Sequence, residues 1–373
     1  MKSAHIICDR YLSPDGEKIT LGGMQTYFTA LSKVLRGQGY RVYIHHKAII
    51  DFIKEVNNIT VCGYSYNSES SRLAKDIFKE VKRIASKSTD LIVFGSEMWI
   101  VDSDGYKCVA IQHGIPWDIP CHQNFGILKY WLFYIYKAYK AFCNIRNVNR
   151  VKNLVCVDYN YINWYRALVA YPKAKLYCVP NFSEIPDDSY YSRDNIIRII
   201  FARRLWEYRG TKVFYYAINR ILKEYNNVFI TIAGDGPDES WLKERLVDDP
   251  RVEFIHYSCQ DSITIHKNKQ IAVVPTVGSE GTSLSLLEAM ASKCAVICTD
   301  VGGLTNVVLD GYNGLVIPAG SSEALYIAIK KLILNQNYCK CLAEKGFETV
   351  SAAFSLEKWQ QSWENIIQVV TKP

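Results

Sequence analysis

The sequence predicts an α/β protein of two domains, each a parallel sheet with helices on both faces. Three observations point there. Short β-branched runs alternate with longer stretches of helical period along the whole chain. Its 373 residues suffice for two domains at roughly 100–200 residues each. A loop-like stretch, Pro180–Ser192, breaks the pattern near the middle with Pro180, Pro186, Asp187, Asp188 and a Ser-Tyr-Tyr-Ser run. Domains are therefore expected over 1–182 and 190–354, with a C-terminal helix in 355–373 returning to the first.

In the first half the expected strands are Ala4–Cys8, Arg41–His46, Asp90–Phe94, Cys108–Gln112, Leu154–Val157 and Leu176–Val179. Amphipathic segments such as Met24–Leu35 and Ser70–Ser86 lie between them. In the second half the strands read Ile196–Ala202, Val228–Ala233, Val252–Ile255, Ile271–Val274, Ala295–Thr299 and Gly314–Ile317. Such alternation gives parallel strands joined by crossover helices. In Ser355–Val370, Trp359, Trp363, Ile366 and Ile367 recur at helical spacing. Ligands of open α/β sheets sit at the carboxyl ends of strands, which directs attention to the loops there.

Composition removes several classes. Hydrophobic residues at 49% and charged residues at 22% match a globular chain and exclude disorder. Twelve cysteines without a CxxC pair fit neither a zinc ribbon nor a disulfide-stapled scaffold, and they fit a reducing cytoplasm. The opening MKSAHIICDR reaches Asp9-Arg10 too soon for a secretory leader, and no stretch of 18 apolar residues predicts a spanning helix. The net charge of +7 divides unevenly: +10 over residues 1–182 and −3 over 183–373. The basic half suits an anionic partner: nucleic acid, a membrane surface or a charged substrate.

The richest chemistry lies in Val274–Ala291. A buried strand ends in a small-residue loop, Gly278-Ser279-Glu280-Gly281-Thr282-Ser283, and a helix begins. Amides at a helix start have no internal acceptor and favour an anion, so Thr282, Ser283 and Leu284 are candidate donors to a diphosphate. Glu280 sits in the loop, and Glu288 follows two helical turns later. A carboxylate accepts two hydrogen bonds at once and so suits a vicinal diol. One glutamate can hold a ribose and the other a sugar, with the diphosphate between. For two isolated glutamates, helix capping and a solvated face would be the plainer explanation. Gly22-Gly23 precedes the Met24–Leu35 helix, and glycine lets backbone approach a phosphate or nucleotide.

The string EGTSLSLLEAMA, with seven residues between Glu280 and Glu288, resembles the donor-site signature of retaining glycosyltransferases of family 4 (glycosyl transferases group 1). Further similar blocks are Phe201-Ala202-Arg203-Arg204-Leu205 through Arg209-Gly210, Ala233–Pro237, Cys298–Gly303 and Asp310–Val316, in order from about 180 to 318. The first half matches at Gly22-Gly23 and Gln112-His113-Gly114. The resemblance implies the GT-B fold, two Rossmann-like domains facing across a cleft. It places Arg204 and Arg209 on the basic pair that binds the donor diphosphate, with Arg209 where lysine is commoner. Arg203 falls where the family usually has glycine, and Lys212 is close by. Positive charge there stabilises the leaving phosphate as the glycosidic bond breaks. His113, at the end of Cys108–Gln112, matches a histidine near the donor sugar that can donate to a hydroxyl. Pro180-Asn181 resembles the family's turn at this position and is read as structural. No metal site is expected: histidine spacing gives no ligand set, and Asp102-Ser103-Asp104 lies in an expected turn. No cofactor is expected beyond the nucleotide-sugar substrate.

Residues 119–157 hold six basic residues (Lys129, Lys137, Lys140, Arg146, Arg150 and Lys152) and no Asp or Glu. Phe125, Tyr130, Trp131, Phe133, Tyr134, Tyr136, Tyr139 and Phe142 are interleaved. Helical spacing puts Ile127, Trp131, Ile135 and Tyr139 close to one face. A basic aromatic helix can lie in a membrane interface, so 125–152 is expected to meet an anionic membrane surface; a core helix with solvated lysines is the alternative. Nucleic acid ranks lower, because no nucleic-acid motif accompanies the patch.

The expected activity is retaining transfer of a hexose-type sugar from a nucleotide diphosphate donor, UDP before GDP. The acceptor is a hydroxyl of a growing glycan, lipid-linked or destined for a cell-surface polysaccharide. The first domain would hold the acceptor and the second the nucleotide. The expected location is cytoplasmic, peripheral on the inner face of the cell membrane. Two rivals share the fold: a sugar-nucleotide epimerase, and a non-catalytic partner subunit of a transferase.

Overall fold

In the computed structural model, described for residues 2–20, 22–66, 73–118, 126–169, 171–186, 195–246, 248–258, 261–278 and 280–372, the chain divides into two units. The first comprises Met1–His113, Leu128–Val179 and Trp359–Pro373; the second comprises Gly114–Ile127 and Pro180–Lys358. Of the expected linker, residues 187–192 lie outside the described residues, as do 70–72 of the Ser70–Ser86 segment and 119–125 of the basic aromatic segment.

The first unit is built on eight strands: β1 (Ser3–Cys8), β2 (Arg41–Ala48), β3 (Phe52–Val56), β4 (Ile59–Ser65), β5 (Leu91–Phe94), β6 (Lys107–Gln112), β7 (Asn153–Cys156) and β8 (Lys175–Cys178). Their order is β3-β4-β2-β1-β5-β6-β7-β8. Every neighbouring pair is parallel except β3–β4. The central strands β1 and β5 bury nearly every residue, as a sheet covered on both faces requires. Helices α1 (Gly23–Gly37), α2 (Leu73–Ile84), α3 (Ile127–Val148) and α4 (Tyr159–Leu168) belong to the same stretch of chain.

The β3–β4 hairpin departs from the sequence expectation, which has no strand between 47 and 89. Asn57 and Asn58 form its two-residue turn, both in the left-handed region at φ 53° and 59°. That geometry matches the twist of paired strands, and asparagine tolerates it better than most residues.

Three of the strands, with Asp90 at the edge of a fourth, carry a polar ladder inside this sheet. His5 Nδ1 on β1 lies 3.1 Å from His45 Nε2 on β2, and His45 Nδ1 lies 2.9 Å from the Tyr64 hydroxyl on β4. Asp90, just before β5, is 3.7 Å from His5 Nε2 and favours the proton on that nitrogen. The rest follows: His45 Nε2–H donates to His5 Nδ1, and Tyr64 O–H donates to His45 Nδ1. Burial holds both imidazoles neutral. It takes His5 down to about 4 against the pull of Asp90, and it lowers His45 well below its ordinary value, helped by the neighbouring His5 and His46.

Among its described residues the second unit has six strands: β9 (Ile197–Ala202), β10 (Val228–Ala233), β11 (Val252–Ile255), β12 (Ile271–Val274), β13 (Ala295–Thr299) and β14 (Leu315–Ile317). All pair parallel in the order β11-β10-β9-β12-β13-β14. One face packs α5 (Thr211–Glu224), α6 (Glu239–Leu246) and α8 (Ser322–Leu334), with Phe214, Ile218, Leu242, Leu325 and Ile329 against Phe201 and Ile230. The other face packs α7 (Leu284–Ala291), with Leu286, Leu287 and Met290 against Ala272, Val274 and Val296. α9 (Gln336–Ala353) follows. α10 (Leu356–Thr371) buries Trp359, Trp363, Ile366 and Ile367, and the Trp363 indole donates to the Tyr27 hydroxyl of α1 at 2.9 Å.

Candidate active site

The strand order of the second unit reverses between β9 and β12, and the candidate site gathers at their carboxyl ends, where ligands of such sheets bind. Arg203 and Arg204 follow β9 directly. Thr276 follows β12, and Glu280 lies in the loop before α7. Two glycines let the main chain close on that loop. A Cβ on Gly302, which sits at φ 54°, would stand 2.0 Å from the Glu280 carbonyl. The neighbouring Gly303 amide donates to the same carbonyl at 3.1 Å.

The Glu280 side chain is more tightly held than the sequence indicates. Arg203 Nη2, Arg209 Nη1 and the Thr276 hydroxyl, the last at 3.0 Å, all donate to Oε2. Arg203 Nη1 also donates to Thr276 Oγ1. Burial opposes ionisation of this carboxyl, but the charges of Arg203 and Arg209 outweigh it and hold its pKa at about 2. The two arginines move in opposite directions. Burial, with repulsion from Arg209, pulls Arg203 down despite Glu280. Burial also acts on Arg209, but Glu280 and Tyr208 overcome it and push it up. Both stay cationic, and Arg209 lies over the Tyr208 ring at 4.8 Å.

Of the expected diphosphate pair, Arg209 is thus brought to Glu280, with its other guanidinium donors uncommitted to that carboxylate. Arg204 is exposed and has no ion-pair partner among the described residues. Arg203 is the member that sequence spacing did not select. It meets Glu280 only because β9 and β12 are adjacent, across 77 residues of chain.

Thr282 and Ser283 are buried, and Ser283 is the N-cap of α7 without a side-chain capping bond. The Ser283 and Leu284 amides stand in the first turn, where the helix supplies no acceptor. The Asn181 amide donates to the Thr282 carbonyl, which gives the proline–asparagine turn a structural task within this unit. Glu288 is half-buried on α7, and burial, with repulsion from Glu184, raises its pKa to about 7 against a hydrogen bond from Ser262. It is therefore not a freely solvated glutamate.

In the first unit, His113 follows β6. Its Nε2–H donates to the Gly95 carbonyl at 2.9 Å, and its ring packs edge-on against Tyr27 at 5.0 Å. Burial lowers its pKa to about 4 despite that hydrogen bond. The neutral ring has spent its one N–H, so Nδ1 offers an acceptor, whereas the sequence reading had it donating to a sugar hydroxyl. Gly22 is the N-cap of α1 and Gly23 its first residue. Gly22 is extended at φ 160°; what constrains it is the Gln25 amide oxygen, 2.6 Å from where a Cβ would stand.

Asp102-Ser103-Asp104 forms a turn, with Asp104 at φ 50°. Among the described residues no group of three or more His, Cys, Asp or Glu side chains converges as a metal site.

Two parallel-sheet Rossmann-like units are the architecture of the GT-B class. At the sequence level, residues 197–335 match the family model "Glycosyl transferases group 1". An uncharacterized glycosyltransferase of Methanocaldococcus jannaschii, MJ1069, is 28% identical over 181 residues, 47% of this chain and 45% of that protein. The capsular polysaccharide biosynthesis glycosyltransferase CapM of Staphylococcus aureus is 27% identical over 177 residues, 46% of this chain and 45% of its own length. The chain thus spans about half the length of the curated relatives it matches. Among solved structures, Anabaena Alr3699/HepE in complex with UDP-glucose superposes with a TM-score of 0.72 at 15% identity, over 99% of this chain and 100% of that one. That likeness shows the fold.

Proposed function

We propose that this chain is a retaining glycosyltransferase that takes a hexose-type sugar from a UDP-sugar and delivers it to a hydroxyl of a growing glycan. The observation that carries the reading is the arrangement around α7. An ionised glutamate stands before the helix, a half-buried glutamate lies two turns along it, and first-turn amides and nearby arginines stand at its start. In this reading Glu288 accepts from the ribose diol. The Ser283 and Leu284 amides, with Thr282, Arg204 and Arg209, receive the diphosphate. Glu280 accepts from hydroxyls of the transferred sugar. Charge grows on the leaving phosphate as the glycosidic bond breaks, and the fixed guanidinium groups lower that barrier. His113 and Gly22-Gly23 are further residues assigned to the donor sugar and diphosphate. Retention follows if the acceptor attacks from the leaving-group face and the departing phosphate takes its proton. HepE with bound UDP-glucose, and CapM in capsular polysaccharide biosynthesis, support the donor class and a polysaccharide-building acceptor.

A panel of nucleotide sugars tested by thermal shift checks this reading, since a ligand bound only by the folded state raises the melting temperature by mass action. UDP-sugars should shift it most. No response to any nucleotide or nucleotide sugar would overturn the reading.

A membrane-bound acceptor is favoured by α3. No described helix is long and apolar enough to cross a bilayer. Yet Ile127, Leu128, Trp131, Leu132, Ile135, Tyr139 and Phe142 on α3 are all more than half exposed, and the helix buries only Asn144 and Val148. Lys137 lies over Phe133 at 5.3 Å and Lys140 over Tyr136 at 5.4 Å. Apolar surface interleaved with cations, without an acid, suits the headgroup region of an anionic leaflet. These features support a location on the inner face of the cell membrane.

A further inference from the structure

The proposed function assigns Glu280 to the sugar but leaves open why two arginines are spent on one carboxylate. Arg209, at the edge of the site, would suffice to pair it. Arg203 is buried, with its side chain 4% exposed, and it reaches no exposed surface from which to meet a ligand. Its backbone is fixed as well: its amide donates to the Ala233 carbonyl at 2.9 Å, and Gly234 leaves room for its own carbonyl.

We propose that Arg203 is a positioning residue. It fixes Glu280 as a carboxylate with Oε2 fully engaged and Oε1 free for hydroxyls of the donor sugar. The geometry divides the two oxygens sharply. Oε2 accepts from Arg203, Arg209 and Thr276, whereas Oε1 has no hydrogen bond among the described residues. Three donors converging on one oxygen fix the carboxylate plane, because Arg203 bridges Thr276 and Glu280 at once. A carboxylate without that bridge would rotate about its terminal torsion and present either oxygen. Burial alone favours the protonated acid, which would turn one oxygen into a donor and spoil an acceptor site for a diol. Arg203 is thus the fixed countercharge that stays when Arg209 turns toward phosphate.

This inference rests on the donor-site reading, and the test separates the two. Wild type, Arg203→Met and Arg203→Lys are compared by calorimetry with UDP and with UDP-glucose, from about pH 5 to pH 8. Arg203→Met removes the charge at similar length; Arg203→Lys restores it without the bridge. The advantage of UDP-glucose over UDP should fall about tenfold or more in Arg203→Met, and it should fall further toward low pH. Arg203→Lys should recover the flat pH profile but only part of the advantage. UDP affinity, which does not involve Glu280, should stay within about twofold. An unchanged UDP-glucose advantage with an unchanged pH profile in Arg203→Met would overturn the proposal. If wild type binds neither ligand, the donor-site reading fails, and the positioning role is judged by carboxyl NMR. The glutamate resonance lost in Glu280→Gln should stay in its carboxylate state from about pH 5 to pH 8 in wild type. In Arg203→Met its titration midpoint should rise by about one to three pH units. An identical Glu280 titration in both proteins would overturn the proposal. Should Arg203→Met fail to fold, Arg203→Lys carries both measurements, and a wild-type sugar advantage there would overturn it.

Discussion

Helices α7 and α3 are both rich in apolar residues, and they meet opposite fates. α7, eight residues long, buries Leu286, Leu287, Ala289, Met290 and Ala291 against β12 and β13. α3, 22 residues long, leaves its aromatic and aliphatic side chains in solvent from Ile127 through Phe142. Composition separates the two poorly. Each lies between two neighbouring strands of one sheet, so what differs is the packing: α7 lays its apolar residues against that sheet, whereas α3 buries only Asn144 and Val148, near its C-terminal end. An apolar helix packed on its sheet is core, and one left in solvent is surface waiting for a partner.

Four measurements test that contrast, along with a fifth where it predicts no effect. The largest response should come from Leu286→Ala, which opens a cavity in the core. It should cost about 2–5 kcal/mol in denaturant unfolding of the second unit. Next is charge reversal on α3: Lys129, Lys137 and Lys140 replaced together by Glu. At about 1 kcal/mol per cation near an anionic surface, binding to phosphatidylserine-containing vesicles should fall roughly a hundredfold or more. Binding should also weaken with salt in wild type, as the Debye length shortens from about 10 Å at 0.1 M to about 3 Å at 1 M. Co-sedimentation of the triple variant at the wild-type level would show that α3 is not the anchor.

Glu288→Ala is third. Loss of a hydrogen bond to a charged group, about 1.5–3 kcal/mol, should weaken UDP-glucose by roughly ten- to a hundredfold in calorimetry with the fold intact. A smaller effect is the pH dependence of the same site. Burial raises Glu288 to about 7, so the carboxylate that accepts from a diol is fully formed only above that pH. UDP-glucose affinity should therefore rise several-fold from pH 6 to pH 8 in wild type and stay level in Glu288→Gln. The smallest is Leu132→Ala on α3, which should alter unfolding by no more than about 0.5 kcal/mol, because the side chain is already exposed.

The sequence reading holds best where local pattern decides structure. Each of its twelve strands matches an observed strand to within two residues at either end, since buried parallel strands read as β-branched runs. The β3–β4 hairpin escaped it because FIKEV exposes Ile53, Lys54 and Glu55 and so lacks an apolar face, and because Asn-Asn signals a tight turn less plainly than Asn-Gly. At the candidate site, the spacing singles out Glu280 and Glu288, and the family resemblance singles out Arg209. The pairing of Arg203 with Glu280 was not, because strand adjacency creates it and no sequence interval does. The hydrogen bond of His113 to the Gly95 carbonyl was hidden too, since Gly95 lies on a neighbouring strand's loop.

The ladder from Tyr64 through His45 and His5 to Asp90 gives the first unit a built-in order of failure. Its hydrogens all point one way, so an added proton has no vacant lone pair inside the sheet. Both imidazoles titrate lower in the fold than in the open chain. Their contribution is complete above pH 6.5, the ordinary histidine value, and drains away as pH falls through that value toward about 4, because the unfolded chain takes up the protons that the sheet refuses. In the second unit Glu280 keeps its charge until about pH 2. The second unit has a single imidazole held low in this way among its described residues, His266, so mild acid should loosen the first unit before the second, like a seam stitched to give way on one side.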